Sequence, residues 1–406
     1  MSTPTPGAGP GPGSLATPVL ATEPEASPVP PSQRRGRGRP PGGGIRGREG
    51  AAGWLFVAPV LLVLGLFLVV PIVMALWVSL SDWGGQGSPF SSGVGFVGLD
   101  NYSTLTAEQG LAQSDFMTSL RNNAYYVLFV VPLQTVLALS LALVLNGKRL
   151  KGKGFFRTAY YFPSVTSSVA ISVVFLFIFS SSGVVNSLLA KIGVSGPAWF
   201  ADPRGVIHIL LGLVGVDTDA PPAALVDTTV GGLAVWEWLS GPSVAMCAII
   251  ALVVWTTAGT FMLMFMAALQ DIPVEVEEAA EIDGAGRWQR FRYVTLPMLK
   301  PTLFLVLTLG LIGTWQVFDQ IYVMSKGAPG KTTLTPAFLS YQTSFNNNEW
   351  GQGSAIAFIL FAIIVGMTLV QRFVLRDKDD AREKAAQRRA AKAARSGAGP
   401  TTEVSG

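Results

Sequence analysis

Residues 275–301 read EVEEAAEIDGAGRWQRFRYVTLPMLKP, a charged stretch between two long apolar runs. It opens with acids (Glu275, Glu277, Glu278, Glu281), turns at Asp283-Gly284-Ala285-Gly286, continues with Arg287, Arg290 and Arg292, and reaches Leu296-Pro297. The pattern predicts a helix, a turn and a second short helix. Pro273 suits a first helical turn, and Glu275, Glu277 and Glu278 complement the positive end of the helix dipole. Ala279 and Ala280 keep one face small, so that another protein can approach closely. Gly284 and Gly286 supply the stop, because glycine accepts a left-handed cap. A second helix, about 287–295, then leads to Pro297 and Pro301.

What flanks this stretch sets the fold class. Half of the 406 residues are hydrophobic, only 13% are charged, and mean hydropathy is +0.44. A soluble domain is nearer a quarter charged. A spanning helix needs about 20 mostly apolar residues, and six stretches qualify: 54–80, 124–145, 159–180, 244–269, 302–324 and 354–374. The expected fold is an all-α polytopic membrane protein with six transmembrane helices. Basic residues collect in the N-terminal stretch, in 146–158, in the quoted loop and in the tail after 374. The positive-inside rule makes that side the cytoplasm, with both termini there. The loops 82–120, 181–243 and 325–353 then face outward. The apolar run 206–216 is too short to span. It reads as a buried or interfacial helix in an extracytoplasmic insert, ended by Asp217, Asp219, Pro221 and Pro222.

Three regions follow. Residues 1–52 are Pro/Gly/Ala-rich and then Arg-rich, a composition that cannot bury a core and predicts a disordered cytoplasmic segment. Their arginines read as an anchor ahead of the first span rather than a nucleic-acid tract. Residues 53–375 form the transmembrane domain, with the insert at about 181–243 and the charged loop at about 271–300. Residues 376–406 form a charged cytoplasmic tail. One cysteine, Cys247, excludes an internal disulfide, and with a single histidine, His208, no His/Cys metal site is expected. GAPGKTT at 327–333 imitates a phosphate loop, but Ser325 stands where the first glycine is needed, so it reads as an outward turn. No catalytic constellation is evident, and no enzyme is expected.

The spacing in the loop carries a family resemblance. Glu278-Ala279-Ala280, three residues, Gly284, nine residues, then Val294-Thr295-Leu296-Pro297 resembles the EAA loop of ABC importer permeases, with Val294 for the usual isoleucine. Asp283-Gly284-Ala285 and Phe291 resemble the carbohydrate-type subfamily. So do FVGLDNY (96–102), FFRTAYYFPSV (155–165) and WQVFDQIYVMSKGAPG (315–330). The likeness covers about 54–374, interrupted by the 206–240 insert. It implies the membrane-spanning subunit of an ATP-driven importer of a sugar or related carbohydrate in a bacterial cell membrane. Glu278, Ala279, Ala280, Asp283, Gly284, Ala285, Phe291, Leu296 and Pro297 would then form a coupling helix and its flanks, seated on a cytoplasmic ATPase. It further implies two ATPase subunits holding ATP and Mg, a second permease subunit of a different chain, and an extracytoplasmic solute-binding protein. This chain itself would hold no cofactor.

For the substrate path, the fifth stretch offers Trp315, Gln316, Phe318, Asp319, Gln320 and Tyr322, the mix of aromatic faces and polar groups that binds sugars. The fourth offers Trp255, Thr256, Thr257 and Thr260. An aromatic belt, an interfacial Asp319 and helix–helix hydrogen bonds explain the same residues. An ion-coupled secondary transporter of a small polar solute is the alternative. It would need ionisable groups near the midplane, which are nearly lacking, and it leaves the 278–297 spacing unexplained.

Overall fold

The computed structural model describes residues 48–147, 150–218 and 221–374. The regions read as disordered segment and charged tail lie outside these, apart from residues 48–52, which are already helical. The chain forms two units, divided after Val63. The first holds nearly all of α1 (Arg48–Leu64), whose side chains from Gly53 on are all exposed and, from Trp54, largely apolar.

The second unit begins with a π-helical turn, Gly65–Val69, and continues through α2 (Val70–Ser79), α3 (Asp100–Thr106), α4 (Leu111–Asn146), α5 (Lys153–Val165), α6 (Ser168–Ile178), α7 (Val184–Lys191), α8 (Val206–Leu213) and α9 (Ala223–Asp227). A two-stranded antiparallel hairpin, β1 (Thr229–Val230) and β2 (Leu233–Ala234), leads to α10 (Val235–Trp238) and α11 (Val244–Gln270). After these come α12 (Val274–Ile282), α13 (Arg287–Arg290), α14 (Leu296–Met298), α15 (Lys300–Trp315), α16 (Asp319–Met324), α17 (Pro336–Tyr341) and α18 (Trp350–Val374).

Among the described residues, four stretches are long and apolar enough to cross a membrane unbroken: Gly53–Ser79, Leu111–Asn146, Val244–Gln270 and Trp350–Val374. The expected third and fifth spans are not continuous helices. The third breaks between α5 and α6 with a bend of 101°, and the helical stretch 287–298 meets α15 at 68°. The expected span 302–324 also stops at Trp315 and restarts at Asp319. Helix breaks in a bilayer need substitute partners for the freed carbonyls, and the side chains supply them. At the third span Thr166 Oγ1 donates to Phe162 O (2.9 Å) and Ser164 Oγ to Tyr161 O (2.7 Å). At the fifth, Asn123 Nδ2 donates to Trp315 O and Thr335 Oγ1 to Val317 O, each at 3.2 Å.

The core lies between α4 and α11. Ala138, Ala142, Ala245, Ala248 and Ala258 are at most 1% exposed, small residues that let helix backbones approach. Gly259 takes this furthest: a Cβ there would lie 2.1 Å from Tyr160 O, so α5 rests directly on the α11 backbone.

α4 starts thirteen residues before the expected span, and its 36 residues make a rod of about 54 Å at 1.5 Å per residue. Its early turns carry polar side chains that are buried by protein. Asn122 Nδ2 donates to Lys331 O (2.8 Å) and Leu334 O (3.0 Å), Arg121 Nη1 to Glu237 O (3.3 Å), and Tyr125 Oη to Trp238 O. The 206–240 insert is therefore a folded excursion clasped by α4. Its helix α8 has no buried residue, against the buried alternative expected, and it ends at Leu213 with left-handed Gly215, before Asp217. The GAPGKTT segment follows a helix rather than a strand, and it is a tight turn with positive φ at Lys326, Gly327, Gly330 and Lys331.

Candidate functional site

The first candidate region is the charged loop. α12 starts at Val274 with Pro273 as its cap rather than within its first turn, and the acids Glu275 and Glu277 fill that turn. Its end is a paired cap: Gly284 N donates to Glu281 O and Ala285 N to Ala280 O, each at 3.0 Å, with Gly284 at φ +76°. These are the two bonds of a Schellman motif. Gly286 instead caps the next helix in extended conformation, and Gln289 Oε1 accepts from its N–H at 2.8 Å. The surface ion pair Arg290–Glu281 (3.3 Å) adds on the order of 0–1 kcal/mol, so the caps carry most of the shape.

Glu278, Ala279, Asp283, Gly284 and Pro297 are exposed, while Ala280, Ala285, Phe291 and Leu296 are half-buried. The loop also exposes Ile282, Trp288 and Tyr293, each more than 70% accessible. Its two feet are fixed: Ile272 before it and Leu299 after it are buried in one apolar cluster with Leu145, Leu269 and Val306. The loop is thus anchored at both ends in the cluster that joins α11 and α15.

The second region lies where the two spans break. A cavity of about 260 Å³ is lined by Tyr126 and Gln134 of α4, Thr257 and Phe261 of α11, and the stretch from Leu309 to Gln320 in part. A second, of about 300 Å³, lies against Pro163, Ser164, Thr166 and Ser168 at the other break, with Thr256 and Thr260. Thr257, Phe261 and Gln320 line both. Each is at the small end of the roughly 300–1,000 Å³ of small-molecule sites. Ser168 Oγ donates to Asp319 Oδ2 at 2.5 Å, joining one break to the other.

Of the residues expected on a substrate path, Gln316, Phe318 and Asp319 line the first cavity and Thr256 the second. Trp315 is instead buried in a core cluster with Val127, Val131 and Leu360. Trp255 packs on Phe175, and Tyr322 on Phe318 and Tyr341. In one unbroken helix Trp315, Asp319 and Tyr322 would share a face; the break at 316–318 separates them. Gln134, Tyr126, Phe261, Ser164, Thr166 and Ser168 were missed. A glutamine amid an apolar span, as Gln134 is, was the available signal.

A family model described as "Binding-protein-dependent transport system inner membrane component" matches residues 134–379, more than half of the chain. The chain belongs to this family. The permease is 30% identical over 329 residues to the lactose transport system permease protein of Rhizobium radiobacter, covering 80% of this chain and 94% of that one. It is 31% identical to the trehalose/maltose transport system permease protein of Thermococcus litoralis, covering 83% and 97%. Among solved structures, its fold is similar to that of a chain in the bacterial alginate ABC transporter crystallised in complex with an alginate pentasaccharide-bound periplasmic protein. There the TM-score is 0.59 at 19% identity, covering 81% of this permease and 95% of that chain. The permease is thus a multi-pass membrane component of a transport system.

Proposed function

We propose that this permease forms the translocation path of an ATP-driven importer for a sugar or related carbohydrate in a bacterial cell membrane, and that it performs no catalysis itself. The chain crosses the bilayer six times, two of the crossings being the broken spans, with both termini in the cytoplasm. Segments 1–52 and 376–406 flank the transmembrane domain on that side. The 271–300 loop is the coupling element. Two cytoplasmic ATPase subunits bind ATP and Mg, and one of them receives α12 in a cleft through Glu278, Ala279, Ala280 and the exposed apolar residues Ile282, Trp288 and Tyr293. A second permease subunit, a different chain, closes the path. An extracytoplasmic solute-binding protein docks outside, in part on the 206–240 insert.

The observation that carries the reading is the loop itself, a capped surface helix whose feet, Ile272 and Leu299, sit in one core cluster with the two spans it joins. The names of its relatives, which carry lactose and trehalose/maltose, support the carbohydrate substrate. Broken helices lining mid-span cavities are the architecture in which transporters hold solute. An ion-coupled transporter is disfavoured because Asp319 is the one ionisable acid or base, other than tyrosine, among the residues lining the two mid-span cavities.

The test is ATP-dependent sugar uptake by vesicles holding the permease with its partner subunits, comparing wild type with Glu278→Lys and Gly284→Asp. Normal insertion with loss of ATPase association and uptake supports the coupling role. Uptake that persists without the ATPase, or that survives both changes, overturns it.

A further inference from the structure

Gln134 stands near the middle of α4, is 1% exposed, and lines the 260 Å³ cavity. Its Oε1 accepts from Thr257 Oγ1 at 2.7 Å, and its Nε2 has no protein partner. The Thr257 hydroxyl has a second acceptor, Val253 O, also at 2.7 Å, but only one proton to give. Turning the amide over lets Nε2 donate to Thr257 while Thr257 donates to Val253, and then Oε1 is the unpaired end. In either orientation one polar end of a buried amide is left without a protein partner.

A glycine sets the space around that end. At Gly310 of α15 a Cβ would lie 2.5 Å from Gln134 Nε2, so glycine is what lets the amide reach this position. Three helices therefore converge on one polar atom: α4 supplies it, α11 orients it through Thr257, and α15 makes room for it. A buried amide with an unpaired end is costly in an apolar setting unless something bonds to it.

The chemistry of the missing partner is constrained. It is a hydrogen-bonding group, and a hydroxyl, which both donates and accepts, satisfies the amide in either orientation. Neither cavity is lined by Lys, Arg or His, and the one carboxylate, Asp319, would oppose an anionic solute. Resting on the carbohydrate-import reading, we infer that Gln134 is a specificity-determining residue that bonds one hydroxyl of an uncharged sugar ring held at the two broken spans.

The experiment uses the complete transporter in lipid vesicles with lactose, trehalose and maltose as probes. The monodeoxy analogues of whichever sugar is carried, and a uronate disaccharide, complete the set. Uptake is normalised to permease in the membrane for wild type, Gln134→Leu and Gly310→Ala. The expected result is that wild type rejects one deoxy position by at least about tenfold. Gln134→Leu loses that rejection and raises KM for the parent sugar while keeping the penalties at the other positions, and Gly310→Ala shifts the profile the same way. If both variants keep the wild-type deoxy profile, however much their membrane level falls, Gln134 only ties α4 to α11 and the inference is wrong. A uronate carried faster than its neutral counterpart also overturns it. If wild type with every partner present carries none of the three sugars, the carbohydrate reading itself fails and the inference falls with it.

Discussion

Ser168 and Asp319 lie 151 positions apart, yet the hydroxyl of one donates to the carboxylate of the other at 2.5 Å. Each is the first residue of a helix that resumes after a break, α6 and α16. The bond is the link between the two discontinuous spans, and it lies where the two cavities meet. Its partner groups are partly open to solvent, so its strength is modest. A double-mutant cycle with Ser168→Ala and Asp319→Ala, read by thermal unfolding in detergent, is expected to give a coupling of about 0.5–1 kcal/mol. Additive effects would mean that the apolar cluster shared by Ile171, Ile321 and Met324 holds the breaks together without this bond.

Gly284 has open space around it but a φ of +76°. Gly284→Val therefore meets no clash and fails through its backbone, because a β-branched residue in the left-handed region costs about 1–2 kcal/mol. The end of α12 is expected to fray. Co-purification of the ATPase with the variant should fall while the amount of permease in the membrane is unchanged. Retained co-purification would dissociate the cap from coupling.

Gly259 is the opposite case, helical and without room. Gly259→Ala drives a methyl against the Tyr160 carbonyl, and overpacking of this kind typically costs about 1–3 kcal/mol. A lowered melting temperature is the expected readout, together with altered transport, because α5 carries the bend that lines the second cavity. An unchanged melting temperature would mean that α5 gives way freely.

His208 on α8 stacks on Trp236 with ring centroids 4.3 Å apart. Partial burial, the largest cause, and the nearby Arg121 charge hold its imidazole below the usual value of 6.5, against the raising effect of a hydrogen bond to the Trp236 backbone. The folded insert thus favours neutral histidine. Its stabilisation is complete above about pH 6.5 and is lost as pH falls through that value toward the depressed one. Limited proteolysis of the insert is expected to speed up in that window, and His208→Phe should remove the pH dependence. A pH-independent wild type would mean that the stack tolerates the charged ring.

Apolar length made the spans at 54–80, 124–145, 244–269 and 354–374 legible in the sequence, and turn chemistry did the same for the loop at Gly284. The breaks at 166–167 and 316–318 were not legible. Phe162 O and Trp315 O are satisfied there by Thr166 and Asn123, and hydropathy cannot see a carbonyl that a hydroxyl or an amide has taken over. The same blindness hid the outer half of α4. Arg121, Asn122 and Asn123 look like loop residues until the insert and the 325–335 turn are folded against them. Gln316, Phe318, Asp319 and Thr256 could be picked out by side-chain type. Gln134 offered the same kind of signal, a glutamine amid an apolar span, but its unpaired amide end and the missing Cβ of Gly310 that accommodates it belong to the tertiary structure.

The length of α4 has a mechanical consequence. Asn122, which grips the outer turn, and Gln134, which reaches the cavity, are carried on one helix that runs on through Pro132 without a break. About 18 Å of rod separates them at 1.5 Å per residue. On the proposed import reading, a partner that shifted that turn or the insert would move the cavity's amide in the same stroke, with no intervening joint to absorb it.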